Sequence, residues 1–505
     1  MALTASKLYD YTQCPHRVWR DLYGPMSEKN EEPNPFVQLL WERGVRYEEK
    51  VLAGLGEILS LKGLSQKENK EKTLQALNQG VPLIYQGMIE FDGLLGIPDL
   101  LKKQPDGTYA PLEIKSGMGY AGVDEETGEE GKLKKSYAIQ LGLYLDVLQN
   151  LGFTKKHVGY ILDGHGQMIE YDLDQPQGVR TPQTFWQFYL QGRDNVKLLQ
   201  ANEVQNNPAL AGICKLCPWY ASCKKWVEKT EDPTGLFYVG RTKRDVLLQD
   251  LSVRHVGDIL LLDIPELLAQ KKKDKSFLPG LGDKTLNKIF DRARVMKITG
   301  KPVVYEKINF PKVSYELFFD IEDDPTQEFV YLHGVYERTA NGERFLDFTA
   351  KEISAEAEAK AWQEFWDYIR SLPQDDFAVY YYSAHEKSTY RRMQKIYPQV
   401  VSETELENFF ANPNVIDLYT EVVLKKTDWP LGSYSIKAIA QYLGFKWRDE
   451  TPSGALSIQW FNDYLEKKDP KILERILLYN EDDCKATMVV KDAVQEISDK
   501  QNIPF

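Results

Sequence analysis

The sequence predicts a multidomain α/β protein in which a small helical region separates two α/β regions. Three observations carry that reading. Residues 83–115 alternate like strands broken by turns and lead into helical periodicity near Lys134. Residues 234–301 are mainly helical with short glycine turns, and from Tyr315 onward strands again precede helices. At 505 residues, with 42% hydrophobic content, the chain has material for two or three cores, and the boundaries fall at 1–230, 231–305 and 306–505.

Composition narrows the function classes. No apolar run approaches the roughly 18 residues of a membrane span, and no basic-then-apolar leader opens the chain, so a cytoplasmic location is expected. A net charge of -12 argues against a general nucleic-acid coat protein. It leaves a nuclease open, because active-site carboxylates are themselves acidic and a local basic groove can coexist with an acidic whole. No dinucleotide fingerprint supports a redox enzyme.

The first helix, from Leu3 through Leu8, reaches Tyr11-Thr12-Gln13-Cys14-Pro15 and places Cys14 just past its end. Five cysteines are too few for a disulfide framework. Cys214, Cys217 and Cys223 lie close together, and a soft metal normally takes four thiolates, so Cys14 is the economical fourth ligand. Zinc and an iron-sulfur cluster both suit four thiolates, although the lone upstream Cys14 departs from the paired short knuckles of zinc sites.

Residues 36–55 read as a helix carrying Glu42, Arg43, Gly44, Tyr47 and Glu48. Beyond it, the turn Pro105-Asp106-Gly107 pairs two strands. Glu113 and Lys115 share a face of the second strand, and Asp99 adjoins across the hairpin. Two carboxylates hold a divalent cation, and a nearby lysine stabilises phosphate charge or orients water. After a charged loop from Gly117 to Gly131 comes a helix with Gln140 and Tyr144 four residues apart on one face.

The order Glu48, Asp99, Glu113-Ile114-Lys115 and Gln140 with Tyr144, bracketed by the cysteines, resembles the iron-sulfur RecB-like nucleases of the PD-(D/E)XK superfamily. That group includes AddB-type repair subunits and nucleases of CRISPR adaptation, and the resemblance covers residues 1–230. It implies that Asp99 and Glu113 bind catalytic Mg2+ or Mn2+, that Lys115 assists the attack, and that Gln140 and Tyr144 support the site or contact DNA. It also implies a [4Fe-4S] cluster on Cys14, Cys214, Cys217 and Cys223. Where many members carry a histidine shortly after the glycine matching Gly44, this chain has Tyr47 followed by Glu48, and Glu48 is the candidate replacement.

In the middle region, Leu278-Pro279-Gly280-Leu281-Gly282-Asp283-Lys284 resembles a helix-hairpin-helix motif. A Gly-x-Gly turn opening a helix offers backbone N–H groups to a phosphate, with Lys284 and Lys288 placed to help. A plain glycine turn between packed helices is the alternative.

The last region opens with a strand, Tyr315 to Glu322, that ends with Asp320 and Glu322 on one face. Strands at Phe329–Tyr336 and Arg344–Thr349, a helix at Ala355–Ser371 and an apolar strand at Phe377–Tyr382 follow, and a long helix from about Pro470 carries Tyr479 and Asp483. This pattern resembles the tyrosine-bearing DEDD exonucleases with an RNase H-like fold, YprB-type domains among them, over residues 306–505. The resemblance implies two divalent ions held by Asp320, Glu322, Asp483 and a fourth acid, with Tyr479 orienting the attacking water. Glu386 is the candidate fourth acid and Asp417 the other to consider; Cys484 reads as a small core residue, and the amphipathic helix from Tyr434 to Leu443 carries no assigned chemistry.

Together these readings predict a metal-dependent deoxyribonuclease with two active sites that trims DNA ends in repair, recombination or defence. The resemblances imply single-stranded DNA for the first site and a 3′ end for the second, with RNA as a further candidate partner. The alternative is a nucleic-acid-binding scaffold whose nuclease sites are vestigial.

Overall fold

The computed structural model describes residues 2–30, 32, 34–121, 131–177, 182–204 and 206–500, so most of the charged loop after Lys115 lies outside the described residues. The chain divides into two compact units, residues 1–208 with 212–223, and residues 209–211 with 224–505. The helical segment expected as a domain of its own falls within the second unit. Among the described residues, no helix is long and apolar enough to cross a membrane.

In the first unit, Thr4 caps helix α1 (Ala5–Gln13) by accepting from the Lys7 N–H at 3.3 Å. Cys14 ends α1, and Pro15 opens α2 (Pro15–Tyr23), as the fixed φ of proline favours. Helix α3 (Pro35–Gly54) follows. A six-stranded sheet then forms from β1 (Leu59–Ser60), β2 (Leu83–Tyr85), β3 (Leu100–Lys103), β4 (Tyr109–Ile114), β5 (Val158–Leu162) and β6 (Met168–Asp172). These strands lie side by side in chain order. β3 and β4 are antiparallel, with Leu100 opposite Leu112, whereas β4 and β5 are parallel and need a crossover. Helix α4 (Lys135–Asn150) supplies it and is apolar nearly all round because it is buried from Ala138 to Leu148. Helix α5 (Phe185–Gln200), opened by a Thr184/Gln187 capping box, packs on α4, and α6 (Tyr220–Thr230) carries Cys223 at the end of the unit.

The second unit begins with helices α7 (Arg241–Leu251), α8 (Ile264–Lys273) and α9 (Asp283–Arg294), closed around Leu247, Leu278, Leu281 and Leu286. Its sheet contains β7 (Tyr315–Asp324), β8 (Phe329–Thr339), β9 (Gly342–Thr349), β10 (Phe377–Tyr381) and β11 (Val415–Asp417). The spatial order is β9-β8-β7-β10-β11, antiparallel on the first side of β7 and parallel on the other. Helices α10 (Ala355–Ser371), α11 (Ala384–Ile396), α12 (Ile436–Tyr442), α13 (Gly454–Lys467) and α14 (Pro470–Lys500) surround it. Helix α14 packs across β7 and β8. Gly334 on β8 permits that approach, since a Cβ there would stand 1.6 Å from the Asn480 Oδ1.

Candidate active sites

β7 supplies two acids two residues apart on one face, Asp320 opposite Gly334 and Glu322 opposite Leu332 of β8. Helix α14 brings the third, and ligand oxygens of Asp320, Glu322 and Asp483 lie within 4.8 Å of one another. Neutral donors hold each carboxylate. The Asn480 amide donates to Asp320 at 2.8 Å, the Trp447 indole to Asp483 at 2.7 Å, and the Tyr331 hydroxyl to Glu322 at 3.3 Å.

Neutral donors cannot cancel three charges. Burial, then the Asp483 charge, pushes Glu322 up to about 8. Burial with Asp483 and Glu322 raises Asp320 well above the carboxylate range, and burial raises Asp483. Buried, close, hard oxygen ligands with unrelieved repulsion fit divalent cations, and these three residues would hold them.

Tyr479, one turn before Asp483, hydrogen-bonds that acid. Its hydroxyl oxygen accepts from the Lys437 ammonium at 2.7 Å, and Lys437 also donates to the Pro452 carbonyl at 3.1 Å. Lysine only donates, so it fixes the phenol as acceptor on that side and frees the phenol O–H for the carboxylate. The Lys437 charge favours the ionised form of all three acids. Lys437 thus brings chemistry to α12, the helix to which the sequence assigns none. The available signal was a long cation one step from the apolar stripe Ile436, Ile439, Ala440 and Leu443.

Glu386, in the first turn of α11, accepts from the Ser383 hydroxyl at 3.0 Å, and burial pushes it up to about 7. Its charge bears on Asp320, but it stands outside the close group of three. Asp417 caps the turn after β11, accepting from the Thr420 N–H at 2.8 Å. Cys484 is fully buried in the core.

In the first unit, Asp99 precedes β3 while Glu113 and Lys115 lie at the end of β4. The Ile114 N–H donates to Asp99 at 2.8 Å, the Asp99 N–H to Glu113 at 3.3 Å, and the Lys115 ammonium to Glu113 at 2.5 Å. Gln86 reaches both Asp99 and Glu48, at 3.4 and 3.5 Å, and the Tyr85 hydroxyl donates to Glu48 at 2.8 Å. Tyr144 hydrogen-bonds Glu113 and is packed against Gly96, where a Cβ would stand 2.5 Å from its ring. The Gln140 Oε1 is buried without a partner. Tyr47 turns away, donating to the Asp163 carbonyl. Burial, then Glu113, pushes Asp99 up to about 8. Burial opposes the Lys115 charge, yet Glu113 and Asp99 raise its pKa on balance. The acids fit one divalent cation, with Lys115 already serving as a counter-ion.

Cys14, at the α1–α2 junction, gathers with the later cysteines. Burial pushes the Cys223 thiol up to about 12, and Cys217, Cys14 and Cys214 add to the rise. No three of the four sulfurs come within 4.8 Å of one another. In the second unit, Lys284 is exposed in the first turn of α9. Lys288 instead donates to fully buried Asp428 at 3.1 Å, beside Arg292 at 2.9 Å and Tyr305 at 2.8 Å.

A five-stranded sheet in the order β9-β8-β7-β10-β11, with carboxylates meeting from its first strand and last helix, defines an RNase H-like domain. Residues 317–495 match the RNase_H_2 model of the RNase H superfamily. The matched stretch includes Asp320, Glu322, Glu386, Lys437, Tyr479 and Asp483. Among curated proteins the chain has no match.

Proposed function

We propose that the protein is a divalent-metal-dependent exonuclease with two active sites, acting on single-stranded DNA or DNA ends in repair, recombination or defence. The observation that carries it is the convergence of Asp320, Glu322 and Asp483 inside the matched domain. Bound Mg2+ or Mn2+ would activate water and offset charge on the phosphodiester. The chain's own groups do the rest. The three carboxylates would hold the ions, and Lys437 fixes the Tyr479 phenol beside Asp483, from where its O–H would turn to the attacking water once metal takes up that carboxylate.

The first unit supports a second site of the PD-(D/E)XK kind through its order of helix, three strands, crossover helix and strand, with Asp99, Glu113 and Lys115 at one strand end. There Asp99 and Glu113 would hold the cation, Tyr144 and Gln140 would steady the site, and Lys115 would orient water against the phosphate. The four thiols suit an iron-sulfur cluster.

The test uses end-labelled single-stranded DNA, duplex DNA and RNA with Mn2+. Lys115→Ala and Asp320→Ala are each expected to remove a different cleavage activity. If neither loses any, the assignments are wrong, and binding without cleavage in the parent protein would establish the scaffold alternative.

A further inference from the structure

A second feature of the 224–505 unit lies away from the acids. Tyr238 adopts φ +69, a left-handed conformation that costs an aromatic residue roughly 1 kcal/mol or more, and the residue is 71% exposed. Its neighbours enforce this. Leu236 and Val239 are each 2% exposed in the helical core, and Phe237 stacks on Tyr434 at 4.1 Å between ring centres. With both flanks anchored, Tyr238 is the residue that projects.

Lys243 completes the feature. Its ammonium lies 3.7 Å from the Tyr238 ring centre and donates to the Tyr238 carbonyl at 2.7 Å. It forms no ion pair among the described residues. An uncompensated cation against an open aromatic face suits a phosphate beside a base. In a chain of net charge -12 this local excess stands out electrostatically.

From there, tyrosines lead toward the acids. Tyr238 lies near Tyr419, whose ring centre is 5.4 Å from that of Tyr382. Tyr382 directly follows β10, donates to the Tyr434 carbonyl at 2.8 Å, and immediately precedes the Ser383–Glu386 turn.

We infer that Tyr238 and Lys243 form a stacking platform for single-stranded nucleic acid, holding a base and its phosphate while the strand end lies at Asp320, Glu322 and Asp483. This rests on the nuclease reading of that site. The feature requires one free strand, because bases paired inside a duplex do not offer a face to an aromatic ring.

The test measures binding of fluorescein-labelled oligothymidylate and oligouridylate to the full chain by anisotropy, with Ca2+ replacing Mg2+. Tyr238→Ala is expected to weaken binding roughly five- to a hundredfold, and Tyr238→Phe to restore most of it. Lys243→Gln should weaken binding and flatten its salt dependence. Tyr238→Gly, which relieves the backbone strain, should bind as weakly as the alanine variant while unfolding at or above the parent's temperature. A purely structural tyrosine would not separate those two readouts. Iodouracil placed along the oligonucleotide should crosslink to Tyr238.

Unchanged binding in Tyr238→Ala, or a phenylalanine variant no better than alanine, overturns the platform. Weakened binding in a protein that hydrolyses nothing upholds the platform and defeats the nuclease reading. Hydrolysis with binding unmoved by Tyr238→Ala does the opposite.

Discussion

In the first unit the Lys115 ammonium lies directly on Glu113 at 2.5 Å, whereas in the second Lys437 meets Tyr479 at 2.7 Å, and it is the phenol that hydrogen-bonds Asp483. Both lysines bear on buried acids, but only the first forms an ion pair with one. The second unit instead gathers three carboxylates among neutral donors and leaves their repulsion standing. A site with its own counter-ion relieves part of its charge before metal arrives, although Asp99 is still pushed up to about 8. A site without one stores a demand for cations, which makes its metal-free state the strained one.

The largest expected effect falls on the thiols. Cys217→Ala should lose any cluster absorbance, unfold the first unit and abolish its cleavage activity while the RNase H-like activity persists in the same chain, because a structural metal contributes on the order of 10 kcal/mol to folding. Iron, sulfide and zinc analysis of the parent protein identifies the group. A coloured, active Cys217→Ala protein would refute the staple.

Next, paired substitutions should move metal-free stability in opposite directions. Lys115→Met leaves Glu113 buried and unpaired, at a cost of about 3–5 kcal/mol. Asp320→Asn removes one repelling charge and should raise the unfolding temperature without metal, yet lower hydrolysis at its site roughly 10²- to 10³-fold. Thermal scans with EDTA and rate assays with Mn2+ measure both. Two shifts of the same sign would erase the contrast.

The pH dependence follows from the raised acids. Glu322, ordinarily 4.5 and about 8 in the fold, and Asp99, ordinarily 3.8 and about 8, hold protons in the folded state that the unfolded chain has released. Their contribution to metal-free stability is therefore greatest below about 4 and is lost as pH rises to about 8. Unfolding temperature without metal should fall across that interval, and Mg2+ should flatten the slope. A rising slope without metal contradicts the burial of unrelieved charge.

The smallest expected effect belongs to Lys437. Lys437→Met should lower kcat about tenfold with little change in KM, and combining it with Tyr479→Phe should cost less than the sum of the two. Full additivity would show that the lysine does not act through the tyrosine.

These contrasts also show what the sequence could reveal. Asp320 with Glu322, and Tyr479 with Asp483, each lie within one element, so periodicities of two and four expose them before any tertiary contact is known. The two strands around Pro105-Asp106-Gly107 are legible for the same reason, with Gly107 taking the φ of +84 that the turn requires. Lys437 has no such signature. Its significance depends on α12 meeting α14 through a contact between residues far apart in sequence. Lys288 shows the reverse. A lysine after a glycine turn resembles a phosphate contact until distant Asp428 is found beside it. Tyr238 is equally silent in sequence, because neither its positive φ nor its exposure follows from Leu-Phe-Tyr-Val.

Gly334 has a consequence for metal choice. The side-chain amide of Asn480 occupies the space a side chain at position 334 would take, so α14 rests on β8 with only that amide between them. The same helix carries Asp483 and the same strand pairs with β7 beneath Asp320, so the missing methyl works as a spacer of zero thickness. Gly334 thereby bears on the gap between the carboxylates, and so on which cation they would accept, without being one of the acids itself.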